Sequence, residues 1–178
     1  MSDQTRLNPA ETALLVIDVQ KGIFSRPTPV YREEELLNNI NSLIELFSRS
    51  DAKTYFIQHS NQKFLQYGSV NWEFHPALQI SENDLIIHKT HGNAFEDTIL
   101  QEELDSRGIR TIVITGLVTN GCVRATSIAG NELGYRVILV EDGHSSYIRG
   151  AEKLIREWNR KLSADTVDLC SASEIEFK

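Results

Sequence analysis

Thr111-Ile112-Val113-Ile114-Thr115-Gly116-Leu117-Val118-Thr119-Asn120-Gly121-Cys122-Val123-Arg124-Ala125-Thr126 carries more structural information than any other part of this 178-residue chain. Thr111 to Thr115 is β-branched throughout and reads as a buried strand. Gly121 to Leu133 reads as a helix, and Gly116 to Asn120 as the turn between them. Cys122 falls where that helix begins. A thiol there meets the positive end of the helix dipole and unsatisfied backbone N–H groups. Such a place is expected to lower the pKa of a cysteine, and the same N–H groups can hold a developing oxyanion.

Working outward, apolar strand-like runs alternate with helical patterns along the whole chain. The strands are expected at Ala13–Ile17, Thr54–Ile57, Leu85–Ile87, Thr111–Thr115, Arg136–Val140 and Thr166–Leu169. Helices are expected at 31–49, with Leu36, Leu37, Ile40, Leu43, Ile44 and Phe47 on one face, at 95–106, and at 149–162. Gly108 is placed as a C-terminal stop for the second of these. Continuous apolar strands alternating with helices predict a parallel sheet covered on both faces. The connection from Ser60 to Asp84 is long and aperiodic. It carries Phe64, Tyr67, Trp72, Phe74 and His75, and reads either as a loop with its own aromatic cluster or as a pocket wall.

Length and composition narrow the possibilities. At 178 residues, 40% hydrophobic and 24% charged, the chain is expected to form one domain, 1–178, with a sizeable core. The net charge of −7 argues against nucleic acid or an anionic membrane as partner. No run approaches the length of a membrane span. The polar opening Met1–Thr12 lacks the apolar core of a signal peptide, and two cysteines, Cys122 and Cys170, are no disulfide framework. A cytoplasmic location is the simplest reading.

In open parallel sheets, ligands bind beyond the carboxyl ends of the strands. Asp18 follows the first strand, Lys89 the third and Cys122 the fourth. Taken singly, each has a structural reading as well: Asp18 as a turn or cap residue, Lys89 as a solvated strand end and Cys122 as a small core residue. Together they would emerge on one edge of one sheet. A cysteine nucleophile needs a base, Asp18 is placed to serve, and Lys89 would stabilise the charged arrangement as part of one coupled titrating unit.

These residues support a family resemblance. Val16-Ile17-Asp18-Val19-Gln20 with Phe24 downstream, Lys89 with Phe95 following, and Gly116 to Val123 with Thr126 resemble the isochorismatase-like cysteine hydrolases. That superfamily includes nicotinamidases and N-carbamoylsarcosine amidohydrolase. The resemblance runs from Thr12 to about Phe177. It implies an Asp18–Lys89–Cys122 triad, a cis peptide between Val118 and Thr119, and an oxyanion hole from the backbone N–H groups of Thr119 and Cys122. It implies a three-layer α/β/α, Rossmann-like six-stranded parallel sheet in the order 3-2-1-4-5-6, and a homodimer or homotetramer. Phe24, Trp72 and either Phe64 or Tyr67 are expected to shape the pocket, with Gln20, Phe95, Val118 and His144 as further substrate contacts.

The chain departs from the zinc-dependent nicotinamidase branch, which carries an Asp-x-His pair after the second strand. Here that place reads Gln58-His59-Ser60, and His59 with His75 does not reach three ligands. No metal or other cofactor is expected. The implied activity is metal-independent hydrolysis of a C–N bond in a small amide, carbamoyl or ureido compound through a thioester. The alternatives are a vinyl-ether hydrolysis of the isochorismatase type, which does not need the thiol, and a non-catalytic or redox-sensing protein on the same fold. No G-x-G-x-x-G follows the first strand, which sets aside dinucleotide binding.

Overall fold

The computed structural model describes residues 6–82, 84–165 and 167–178. Its centre is a six-stranded, all-parallel sheet of β2 (Thr12–Ile17), β3 (Lys53–His59), β4 (Leu85–Lys89), β5 (Thr111–Leu117), β6 (Arg136–Ser145) and β7 (Asp168–Cys170), ordered β4-β3-β2-β5-β6-β7. This is the expected 3-2-1-4-5-6 order. A separate two-stranded pairing of β1 (Arg6–Leu7) with β8 (Glu176–Phe177) joins the two ends of the described chain. Thr166, the expected start of the last sheet strand, and Met1–Thr5 lie outside the described residues.

The strand pattern explains the layers. Successive side chains point to opposite faces of a strand, and every residue of β2 is buried. Leu14 and Val16 pack into one core, while Ala13, Leu15 and Ile17 pack into the other. α2 (Glu33–Arg49) covers the first face with Leu36, Leu37, Ile40, Leu43, Ile44 and Phe47, the predicted stripe. Phe47 is fully buried, so its truncation to alanine would cost about 3–5 kcal/mol. α3 (Leu100–Ser106), α4 (Arg124–Glu132) and α5 (Ala151–Asp165) lie on the other face.

Two helices begin three or more residues later than expected. The helix expected from Phe95 begins at Leu100 instead. Asn93 Oδ1 accepts from the Phe95 N–H, Thr98 donates to the Ala94 carbonyl, and Asp97 adopts φ 53°, so polar side chains and a left-handed residue hold these residues in turns. The helix expected from Gly121 begins at Arg124. Ahead of it the chain makes one π-helical turn, Thr119–Val123, with Gly121 at φ −114°, ψ −111°. A short helix, α1 (Lys21–Phe24), follows β2.

The long 60–84 connection is stitched to the residues after β2. Lys21 and Gly22 donate to the carbonyls of Glu73 and Asn71 at 2.8 and 2.9 Å, His75 donates to Val19 O at 2.9 Å, and Gln20 bridges to Phe74. No described helix is long and apolar enough to cross a membrane.

Candidate active site

β2 and β5 lie side by side at the point where strand order reverses, so their carboxyl ends form the crevice that suits ligands in such sheets. Gly116 of β5 pairs with Ile17 of β2 at φ 116°, and a Cβ there would stand 2.1 Å from the Ile17 carbonyl oxygen. Only glycine lets the two strands approach here. Asp18, directly after Ile17, takes φ 52°. Asp tolerates this left-handed region better than most residues, and it turns the chain sharply off the strand.

The three residues expected to meet do meet. Lys89 Nζ donates to Asp18 Oδ2 at 3.0 Å and to Cys122 Sγ at 3.3 Å. Its side chain is fully buried and that of Asp18 nearly so. A fourth residue joins them. His59, the last residue of β3, places Nδ1 at 3.0 Å from Lys89 Nζ, and the His91 carbonyl accepts from Nζ at 3.1 Å. An ammonium carries only donors, so His59 Nδ1 is the acceptor and its proton sits on Nε2. Burial, with the Lys89 charge behind it, holds the His59 pKa below its ordinary value, which keeps the ring neutral. The sequence signal for His59 is the same as for Asp18 and Lys89: a polar residue at the carboxyl end of an apolar strand.

Asp18 Oδ1 is buried without a hydrogen-bond partner among the described residues. The carboxylate, His59 and Cys122 Sγ offer ligand atoms within 4.8 Å of one another. A divalent ion does not fit among them, because Lys89 Nζ already stands 3.0, 3.0 and 3.3 Å from Asp18, His59 and Cys122. An ion at coordination distance from the same atoms would meet that ammonium.

The thiol behaves opposite to the expectation from its place in the chain. Burial, then the Asp18 charge, push Cys122 up to about 12 against the pull of Lys89. Desolvation of the thiolate outweighs one cation here. At neutral pH the resting group is therefore a thiol. The non-proline cis peptide is also displaced by one residue from the expected bond. It joins Leu117 to Val118, where β5 meets the π turn.

The remaining candidates have varied surroundings. Gln20 is fully buried, and its amide clamps backbone: Nε2 donates to the carbonyls of His59 and Trp72 at 3.0 and 2.7 Å, and Oε1 accepts from His59 N at 2.9 Å. The Trp72 ring stacks on His88 and leans on Tyr67. The Phe24 ring packs on His75. Phe95 stacks on Tyr135 and reaches Gly130 of α4, in the core rather than at the cluster. Val118 opens the π turn, and its carbonyl accepts from Gly121 and Val123. Thr126 Oγ1 accepts from Ala94 N at 3.1 Å, tying α4 to the segment after β4.

His144 is buried behind the π turn. Asn159 donates its Nδ2 to the Glu141 carbonyl, which leaves its Oδ1 to accept from His144 Nε2 at 2.8 Å. The other ring nitrogen, Nδ1, therefore accepts from Thr119 Oγ1 at 2.8 Å. Burial pushes His144 down to about 4, so this neutral tautomer persists and anchors the turn through Thr119. Sequence reasoning missed Asn159, because its partner lies across a helix and a strand.

Comparison with known proteins agrees with this geometry. Residues 12–157 match the isochorismatase domain family. The streptothricin hydrolase of Streptomyces noursei is 29% identical over 76% of the chain, which spans half the length of that protein. Nicotinamidase 3 of Arabidopsis thaliana is 25% identical over 79% of the chain and 76% of its own length. A crystal structure of an isochorismatase family protein superimposes with a TM-score of 0.86 at 30% identity, covering 90% of this chain and 98% of the other. With its Asp–Lys–Cys cluster at the switch point of a matching sheet, the chain belongs to the isochorismatase family of hydrolases.

Proposed function

We propose that the protein is a metal-independent cysteine hydrolase that cleaves a C–N bond of a small amide, carbamoyl or ureido compound through a thioester on Cys122. The observation that carries this reading is Lys89 Nζ, 3.0 Å from Asp18 Oδ2 and 3.3 Å from Cys122 Sγ, beside a buried Asp18 Oδ1 that has no hydrogen-bond partner among the described residues. A nicotinamidase among its relatives supports the amide class.

Because burial keeps the thiol protonated, attack is coupled to proton transfer rather than started from a standing thiolate. Asp18 takes the Cys122 proton as sulfur bonds to the substrate carbonyl carbon. Lys89 balances the negative charge as it moves from carboxylate to sulfur and oxygen. The backbone N–H groups of Thr119 and Cys122 hold the oxyanion, in a turn pinned from behind by His144. The tetrahedral intermediate collapses, the C–N bond breaks, and Asp18 returns the proton to the departing nitrogen. Water, deprotonated by Asp18, then attacks the thioester and frees the thiol.

An ammonia-release screen across small amides, ureas and carbamoyl compounds, comparing the wild-type protein with Cys122→Ala, tests the reading. Release that depends on Cys122 supports it. Ammonia release retained by the alanine variant would mean that the C–N bond is cleaved without the thiol and would overturn the thioester mechanism.

A further inference from the structure

A hollow of about 990 Å³ opens beside the cluster, lined among others by Arg26, Ser60, Lys63, Phe64, Thr90 and His91. Ser60 directly follows His59, and Thr90 directly follows Lys89. The carbonyl of His91 accepts from Lys89 Nζ, and Ser60 N donates to Lys89 O at 2.9 Å. Part of the wall of the hollow is thus the chain immediately following His59 and Lys89.

Its charge is unlike that of the rest of the molecule. The chain carries 25 acidic and 18 Lys or Arg residues, yet the lining includes Arg26 and Lys63 and no carboxylate. The acids close to His91 are Glu96 and Asp97, at 3.6 and 3.3 Å from its ring nitrogens, and neither lines the hollow.

Arg26 is held as a recognition group would be. Its guanidinium lies 3.7 Å from the Phe64 ring centroid and 5.3 Å from that of Tyr147. Its Nε is buried with no hydrogen-bond acceptor among the described residues. Other charged arginines, such as Arg49 with Glu45, Arg107 with Glu103 and Arg136 with Asp168, have carboxylate partners. A guanidinium packed on an aromatic ring with a buried donor left unmatched is incomplete until an acceptor arrives, and its planar fork fits a carboxylate in bidentate fashion.

We propose that the substrate carries a carboxylate away from the scissile carbonyl, and that Arg26 binds it across this hollow. This rests on the reading of Cys122 as the nucleophile facing the substrate. Phe64, from the 60–84 connection, then acts by holding the guanidinium flat. This makes part of that connection a specificity wall.

The test uses two thiol alkylators with the same reacting carbon: 4-(2-iodoacetamido)butanoate, which bears a distal carboxylate, and N-butyl-2-iodoacetamide, its neutral counterpart. Second-order rates at Cys122 are read by peptide mass mapping and normalised to those of glutathione. The wild-type protein is expected to prefer the carboxylate reagent by about tenfold or more, the scale of one charge-assisted contact. Arg26→Met and Arg26→Gln should abolish the preference, and Arg26→Lys should retain most of it. A wild-type ratio equal to that of glutathione, or a ratio unchanged in both neutral variants, overturns the proposal. The ratio reads binding rather than turnover. If neutral amides prove to be hydrolysed while the ratio stays flat, only the carboxylate inference falls. If no amide is hydrolysed while the ratio stands, only the hydrolytic reading falls.

Discussion

Two cysteines occupy this chain, and burial pushes both thiols up to about 12. Their surroundings nevertheless differ in kind. Cys170 closes β7 inside the core under α2, and its charged neighbours, Glu174, Asp142, Glu141 and Asp168, all raise it further. Cys122 sits half-buried in the π turn with Lys89 Nζ 3.3 Å away, and Lys89 also grips Asp18. A readiness to ionise does not distinguish the two. A proton acceptor with a matching cation does, because it lets a thiol lose its proton at the moment of attack without carrying a costly buried charge at rest.

The largest expected effect separates the two directly. Cys122→Ala should lower hydrolysis of the amide identified by screening by about 10⁴-fold or more, while Cys170→Ala should leave the rate within about twofold. Comparable losses in both, at unchanged circular dichroism, would erase the distinction. Removing the cation alone comes next. Lys89→Met leaves the Asp18 carboxylate buried and unpaired, which should cost about 3–5 kcal/mol in chemical denaturation as well as most of the activity. Asp18→Asn combined with Lys89→Met should recover part of the stability and none of the activity.

The support behind the turn gives a pH dependence. His144 takes up a proton near 4 in the folded protein and near its ordinary 6.5 in the unfolded chain. Between these values the unfolded state holds more protons, so stability falls as pH drops from 6.5 toward 4 and is unaffected by this group above 6.5. The loss amounts to about 3 kcal/mol. His144→Asn, which keeps an acceptor for Thr119 but does not titrate, should flatten that slope in denaturant midpoints measured from pH 7 to 4. A slope identical in the variant would remove His144 from the account.

The smallest effect concerns the resting thiol. The rate of Cys122 alkylation by iodoacetamide should keep rising with pH beyond 9, because burial and Asp18 hold the proton on sulfur. A plateau near pH 7 would mean a standing thiolate and a different division of labour with Asp18.

The strands of the sheet were legible because their buried middles are uninterrupted apolar runs, whereas their order came only from the family resemblance. Their carboxyl ends were not legible, and every miss at those ends ran the same way. β3 continues through Gln58 and His59, β4 through His88 and Lys89, and β6 through Asp142 to Ser145. Hydrophobic pattern reports burial of side chains, whereas backbone pairing continues beneath polar ones. Asp18, Lys89 and Cys122 were recognisable from type and position at those strand ends. His59 carried the same signal but was weighed only as a metal ligand. The direction of the Cys122 shift was hidden because it depends on how much of the thiol loses water, which place in the chain does not encode. The cis bond fell one residue early, at Leu117–Val118, since side-chain pattern carries no mark of peptide isomer.

The most direct test of the central claim is acid quenching during turnover of the amide found by screening, followed by peptide mass mapping. The account predicts an acyl adduct on the peptide containing Cys122, with the mass of the substrate minus its amine, and none on Cys170 or in Cys122→Ala. Undiminished turnover in Cys122→Ala, or an adduct on any residue other than Cys122, would contradict it.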